Sequence, residues 1–480
     1  MATRLQHYIG GEWVDSNAPT SHPVTNPATG QVIADCPLGT ATELDAAVRS
    51  ARKAFETWRR VPAQDRIQYL FRLKTLMDAH AEELAAIVTL ENGKTLSEAL
   101  GSVKRGIQMV EVACGAPSLM MGQALEDIAR GIDCESVRQP MGVFACIAPF
   151  NFPAMVPLWF FPFAVACGNT FVCKPSEQTP LSQRFIWKLI DEAGFPPGVL
   201  NLVNGGKDCV EAICDHPDIE GVSFVGSSPV AELVYARAAS KMKRVQALGG
   251  AKNFIIVMPD AEMKHTTENV CESAFGCAGE RCLAASVILG VGDAHEAVRA
   301  GLKRNMEAIV IGDGSQPGVT MGPVINAAAK ERVLKYIEMG IAEGAELVVD
   351  GREAKVPGEG FFIGPTLFDQ VTPDMRIASE EIFGPVLCIQ RVASLDEALA
   401  VTKAQPLANA NSIFTQSGKA ARQFRYEVDA SMAGVNIGVA APMSFFSFGG
   451  AKGSFFGDLK AHGREAYDFF TDRKVLISRW

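Results

Sequence analysis

Apolar residues recur at three- and four-residue spacing early in the chain, the mark of helices that bury one face. Glu43–Thr57, Ala63–Ala79 and Ala81–Asn92 fit that period, and residues 43–118 read as helical throughout. Pro62 and the Asn92-Gly93 pair punctuate them. From residue 140 the pattern changes to short apolar runs alternating with helical segments. Val143–Ala148, Thr170–Lys174, Val199–Val203, Gly221–Val225 and Lys243–Leu248 read as strands. Pro153–Ala166, Ser182–Ala193, Asp208–Asp215 and Pro229–Ser240 read as the helices between them. Such alternation predicts a parallel sheet covered on both faces. Ligands then bind beyond the carboxyl ends of the strands.

A second alternation starts at Phe254–Met258. It continues through helix Thr266–Phe275, strand Ala285–Leu289, helices Ala294–Ala308 and Ala327–Glu343, strand Val386–Arg391, helix Leu395–Ala404 and strand Asn411–Phe414. Two α/β domains follow, with the boundary near Leu248-Gly249-Gly250. Cys134–Val143 and Phe469–Trp480 read as strands outside either core. Isolated apolar strands need a partner, so these two predict an arm that pairs with another subunit.

The run from Gln139 to Cys173 carries no charge and is long enough to span a bilayer. Pro140, Pro149, Pro153, Pro157 and Pro162 interrupt it, and each proline inside a helix costs about 3 kcal/mol. A buried strand, turn and helix fit better, so no membrane association is expected. Forty-five basic against 54 acidic residues leave a net charge of −9, and the densest basic patch is Lys241-Met242-Lys243-Arg244. That argues against a nucleic-acid partner, because phosphate neutralisation needs a basic surface. Met1–Asp15 lacks the apolar core of a signal peptide. The 12 cysteines form no Cys-x-x-Cys pair, which points to a reducing, cytoplasmic setting. No histidine spacing suits zinc, so no metal is expected.

Gly-x-Gly-x-x-Gly, Walker A and Gly-x-Ser-x-Gly are all absent. Candidate chemistry therefore rests on strand ends. Lys174-Pro175-Ser176-Glu177 follows one strand, and Gly226-Ser227 opens the helix at Pro229. A helix start of that kind offers free N–H groups to a phosphate. Glu177 could accept hydrogen bonds from a ribose diol and would repel a ribose phosphate, favouring NAD over NADP. Read alone, both segments are equally ordinary solvated turns. Cys282 lies in Phe275-Gly276-Cys277-Ala278-Gly279-Glu280-Arg281-Cys282, a turn between helix and strand. The adjacent Arg281 would lower the thiol's pKa. The competing reading is a buried, inert thiol.

At these residues the chain resembles the aldehyde dehydrogenase superfamily over essentially its whole length. The likeness runs from Ile9-Gly10-Gly11-Glu12-Trp13, through Pro149-Phe150-Asn151-Phe152-Pro153, Lys174–Pro180 and Gly279–Cys282, to Glu380-Glu381-Ile382-Phe383-Gly384-Pro385. It implies an α/β fold with a Rossmann-type parallel-sheet NAD domain (1–121 and 139–248), an α/β catalytic domain (249–438) and a small β oligomerisation arm (122–138 and 460–480). It implies that Cys282 attacks the aldehyde carbon and that Asn151 and the Cys282 N–H form the oxyanion hole. Phe150, Lys174, Glu177, Gly226, Ser227, Glu381 and Phe383 would bind NAD. Phe150 stands where many members have tryptophan. Members assemble as homodimers or homotetramers through the arm.

One departure narrows the resemblance. Hydrolytic members carry a glutamate directly before Leu-Gly-Gly, where this chain has Ala247. Alanine cannot activate water, whereas a thiol is intrinsically nucleophilic. The acyl acceptor is then expected to be coenzyme A. Gly101–Gly106, Gly453–Asp458 and Arg479-Trp480 resemble the CoA-acylating methylmalonate-semialdehyde branch. By that likeness Arg105 and Arg281 would hold a substrate carboxylate. The expected reaction is NAD-dependent oxidation of methylmalonate or malonate semialdehyde with decarboxylation to propionyl- or acetyl-CoA. The alternatives are a hydrolytic semialdehyde dehydrogenase releasing a free acid, and a non-catalytic structural member.

Overall fold

A computed structural model describes residues 3–480. Its largest sheet has eight strands. Their order across the sheet is Glu12–Val14, His7–Ile9, Leu200–Leu202, Thr170–Lys174, Val143–Ile147, Ile219–Val225, Arg244–Leu248 and Phe455–Gly457. The five central strands run parallel, and antiparallel strands close both edges. Val143–Ile147 is buried at every position, as a strand covered on both faces must be. The chain builds outward from it through Thr170–Lys174, then returns to its other side at Ile219–Val225. The carboxyl ends at that reversal form a crevice suited to a ligand.

The second sheet has seven strands, in the order Glu346–Val349, Thr366–Asp369, Val386–Val392, Ala285–Val291, Asn253–Val257, Ala410–Phe414 and Met432–Val435. All its neighbours pair in parallel except the first two strands. The amino ends of its central strands meet the carboxyl ends of the first sheet. The third sheet is small and antiparallel, with Ile132–Pro140 between Gln123–Ala129 and Thr471–Arg479. Leu125, Val475, Leu476 and Ile477 are exposed on it.

The helical period is realised at Ala41–Trp58, Ala63–Ala79, Ala81–Asn92 and Leu96–Ala113. Thr40 with Glu43, and Thr95 with Glu98, form capping boxes that satisfy the first N–H groups of two of them. The expected continuous helix Pro153–Ala166 does not form. The segment breaks into a 3₁₀ turn at Val156–Trp159 and an α-helix at Phe161–Ala166, each with a proline near its start. Pro157 and Pro162 lack the N–H that a continuous helix needs from its interior residues. The expected strand Cys134–Val143 also divides, because the chain turns at Gly142 (φ +155°) before Val143–Ile147 begins. The charge-free run lies inside the protein, and no helix among the described residues is long and apolar enough to cross a membrane.

Candidate active site

The loop leading to Cys282 is held in an unusual backbone. Cys277 (φ 49°), Ala278 (φ 52°) and Gly279 (φ 75°) are left-handed in succession. Side-chain-bearing residues in that region cost about 1–3 kcal/mol each and need surrounding structure to hold them. Glu98 supplies some of it, accepting the Cys277 N–H at 2.6 Å. Gly279 is required by contact as well as by φ, since a Cβ there would lie 2.3 Å from the Gly384 carbonyl oxygen. That approach brings the Cys282 loop against the Glu381–Pro385 segment. The Cys282 carbonyl accepts from the Asn253 and Asn409 side-chain amides, each at 3.0 Å.

Asn151 arrives from the carboxyl end of Val143–Ile147. Its Nδ2 donates to the Glu280 carbonyl at 3.0 Å, two residues before Cys282. The buried Lys94 donates to the Asn151 carbonyl at 2.6 Å. Asn92 and Thr179 donate to the carbonyl of Phe150 at 3.1 and 3.3 Å. The Phe150 and Phe383 rings meet edge-on with centroids 5.9 Å apart. Glu381 accepts the Ala251 N–H at 2.8 Å, and burial raises its carboxyl above the ordinary value. Gly250 makes room for it, because a Cβ there would lie 2.2 Å from Glu381 Oε2.

On the crevice side, Lys174 Nζ lies 2.9 Å from Glu177 Oε2. Burial, the largest single influence, works to raise Glu177, but the Lys174 ammonium and its hydrogen bond, a backbone hydrogen bond and His22 together hold the carboxyl below its usual value. The helix Ser228–Ala239 begins after Ser227 with no side-chain cap on its first N–H groups. These features fit a dinucleotide: a carboxylate kept ionised for a diol, and open backbone donors for a pyrophosphate.

Cys282 opens onto a cavity of about 490 Å³, whose walls include Glu98, Arg105, Phe152, Trp159 and Arg281. Both candidate arginines therefore reach the cavity, with different company. Arg281 Nη2 lies 3.0 Å from Glu98 Oε1, so its charge is balanced. Arg105 donates to the Pro442 carbonyl at 2.7 Å and has no carboxylate partner among the described residues. Arg281 acts on Cys282 in the expected direction, lowering the thiol, but burial dominates. Although part of the residue is open to the cavity, burial pushes the thiol up to about 12, Glu381 adds to the rise, and Arg281 offsets little. A side chain one residue away in a turn need not point the same way, and Arg281 turns toward Glu98.

A match to the aldehyde dehydrogenase family spans residues 13–476. The chain belongs to that family. This aldehyde dehydrogenase is 52% identical over 477 residues to malonate-semialdehyde dehydrogenase 1 of Geobacillus thermodenitrificans (strain NG80-2), covering 99% of each chain. It is similar to the crystal structure of methylmalonate-semialdehyde dehydrogenase from Oceanimonas doudoroffii, with a TM-score of 0.98 and 45% identity over 100% of this chain and 99% of that one. An aldehyde dehydrogenase from Bacillus cereus, solved as an NAD+ complex, matches with a TM-score of 0.95 and 31% identity over 99% and 96% of the two chains.

In this aldehyde dehydrogenase, Ala247 pairs with Phe224 on one neighbouring strand and Phe456 on the other. It is fully buried in the apolar cluster on that face of the sheet. Gln246 faces the opposite way and donates to the Ser223 hydroxyl at 2.8 Å. The sequence reading missed Lys94, Glu98, Asn253 and Asn409. All four act across long sequence separations, and no local spacing announces them.

Proposed function

We propose that this chain is an NAD-dependent, CoA-acylating dehydrogenase of malonate and methylmalonate semialdehydes. Ala247 carries the reading. Where hydrolytic members hold a water-activating carboxylate, this enzyme has a methyl group in an apolar strand face. Water lacks a base there, so the acyl group waits for a thiol. Arg105 supports the substrate class, since a partly buried guanidinium without a counter-ion suits a planar carboxylate.

Cys282 adds to the aldehyde carbon, and its thiol proton leaves. Asn151 uses one amide N–H on Glu280 and keeps the second for the oxyanion, together with the Cys282 N–H. Each such donor is worth about 3–4 kcal/mol in the transition state. NAD, when bound, would supply the hydride acceptor, and Cys282 is left carrying the acyl group as a thioester. Glu177 and Lys174 would hold the adenosine ribose of NAD, Gly226 and Ser227 its pyrophosphate, and Glu381 its second ribose. Phe150 and Phe383 would flank the nicotinamide. Arg105 and Arg281, which line the same wall, hold the substrate carboxylate, Arg281 while paired with Glu98. Breaking the bond between the α carbon and the carboxylate releases carbon dioxide and leaves an electron pair that delocalises onto the thioester oxygen as an enolate, within reach of the Asn151 amide. After protonation, the acetyl or propionyl group passes from Cys282 to CoA. The exposed three-stranded sheet would join subunits into a homodimer or homotetramer, and the 12 unpaired cysteines suit a reducing cytoplasm.

The test is NADH formation from malonate semialdehyde with and without CoA, with products separated by chromatography. Turnover that requires CoA and yields acetyl-CoA supports the reading. Equal turnover without CoA, yielding a free acid, overturns it and points to another base, such as Glu272 at the cavity rim. Carbon dioxide released before CoA is added supports decarboxylation on the enzyme; release that strictly requires CoA reverses that order.

A further inference from the structure

The substrate cavity contains a histidine that the mechanism above does not use. His462 lines it together with Arg105, Trp159 and Phe448. The residue is 1% exposed, and neither Nδ1 nor Nε2 has a hydrogen-bond partner among the described residues. Trp159 Nε1, in the same wall, is also without one. Buried polar atoms are nearly always paired, so three orphans around one cavity call for a missing partner. Two of the three groups can donate: the indole N–H and the one N–H of a neutral imidazole.

The ring is fixed rather than loosely placed. Its centroid lies 4.7 Å from Trp159, nearly perpendicular, and 5.4 Å from Phe448. Paired backbone hydrogen bonds of 2.7 and 3.0 Å join Phe448 to Ala461, just before it. His462 itself has φ 69° and ψ 178°, an extended positive-φ backbone that is almost exclusively glycine's. Strain of this kind gathers where a side chain must be held for a task. Burial, and then the Arg105 charge, push the imidazole down to about 3 and keep it neutral. A neutral ring beside an uncompensated guanidinium leaves the subsite with a net positive charge and unpaired donors. An anion with two oxygens matches it.

We propose that His462 is a specificity-determining residue, donating a ring N–H to the substrate carboxylate that Arg105 holds, in a subsite walled by Trp159 and Phe448. This rests on the reading of the substrate as a semialdehyde acid. It adds His462 as a third donor beside the two arginines of that wall.

The experiment compares wild type and His462→Phe on malonate semialdehyde and on propanal, which matches its chain length but lacks the carboxylate. Phenylalanine keeps the aromatic packing and removes the N–H. The expected result is a loss of about ten- to a hundred-fold in kcat/KM on malonate semialdehyde, mostly through KM. Propanal turnover should stay within about two- to threefold. His462→Asn, which is smaller and retains an N–H, should recover most of the selectivity. Should the Phe variant not fold, His462→Gly suits the backbone, lacks the donor and should show the same selective loss. Equal losses on both substrates would make His462 merely structural, and no loss would remove it from the subsite. A wild type that does not prefer malonate semialdehyde over propanal would instead overturn the substrate reading itself.

Discussion

Glu98 Oε1 holds the Arg281 guanidinium at 3.0 Å while accepting the Cys277 N–H at 2.6 Å. The other carboxylate oxygen accepts from the Thr95 backbone and hydroxyl in a helix capping box. One side chain thus ties the start of Leu96–Ala113 to the loop that presents Cys282. The pair is largely shielded, with side-chain exposures of 17% for Arg281 and 15% for Glu98. Glu98→Gln is expected to leave Arg281 uncompensated and lower stability by about 2–4 kcal/mol, somewhat less than for a fully buried pair. Denaturant unfolding measures this. A change below about 0.5 kcal/mol, the usual scale of an exposed pair, would show that the contact is only a surface one.

The resting state of Cys282 has its own signature. Burial, with Glu381 behind it, pushes the thiol up to about 12. A raised acid pKa means that the thiolate is scarce at neutral pH and grows tenfold per pH unit until the pKa is reached. Alkylation of Cys282 by iodoacetamide in the free enzyme should therefore accelerate steadily from neutral pH, with no plateau below about pH 10. Mass spectrometry identifies the labelled residue. A plateau near pH 8 would show that the free enzyme already activates its nucleophile, and that Arg281 outweighs burial there.

Asn409 isolates a positioning effect. Its side-chain Nδ2 donates to the Cys282 carbonyl at 3.0 Å, beside the matching bond from Asn253. Asn409→Ala removes one of two restraints on the nucleophile's backbone. A net loss of about 0.5–1.5 kcal/mol corresponds to roughly a two- to tenfold fall in kcat. KM for malonate semialdehyde should hold, because Arg105 is untouched. A rise in KM at constant kcat would mean that Asn409 shapes the substrate wall instead.

These contacts mark where the sequence is legible. Val143–Ile147 and Thr170–Lys174 read correctly because strands buried on both faces are continuous apolar runs. The Asn151, Cys282 and Glu381 segments stand out because several motifs occur in one order along the chain. His7–Ile9, Glu12–Val14 and Phe455–Gly457 passed unnoticed. Each is three residues long, and each is a strand only because a sheet edge stands beside it. Arg281 lowers the Cys282 thiol only a little, because its charge is turned toward Glu98 while burial dominates. Lys94 and Asn409 act on Asn151 and Cys282 from far away in the chain, and such pairings exist only after folding.

Arg105 provides a test in which stability and activity move in opposite directions. Its guanidinium is partly buried, donates to the Pro442 carbonyl at 2.7 Å and has no carboxylate partner among the described residues. Burial disfavours the charge, which lowers the group's pKa. A cation kept in that position destabilises the free protein and is retained for what it binds. Arg105→Met preserves much of the volume and removes the charge. It should raise stability by about 0.5–1 kcal/mol, visible as a higher Tm. The same change should raise KM for malonate semialdehyde by about 30- to 100-fold while sparing propanal, because a charged hydrogen bond and its Coulomb partner are lost together. Arg105→Lys should recover only part of the affinity, since an ammonium cannot reproduce the planar fork. A Tm that falls together with activity on both aldehydes would show that Arg105 braces the Pro442 loop rather than waiting for a carboxylate.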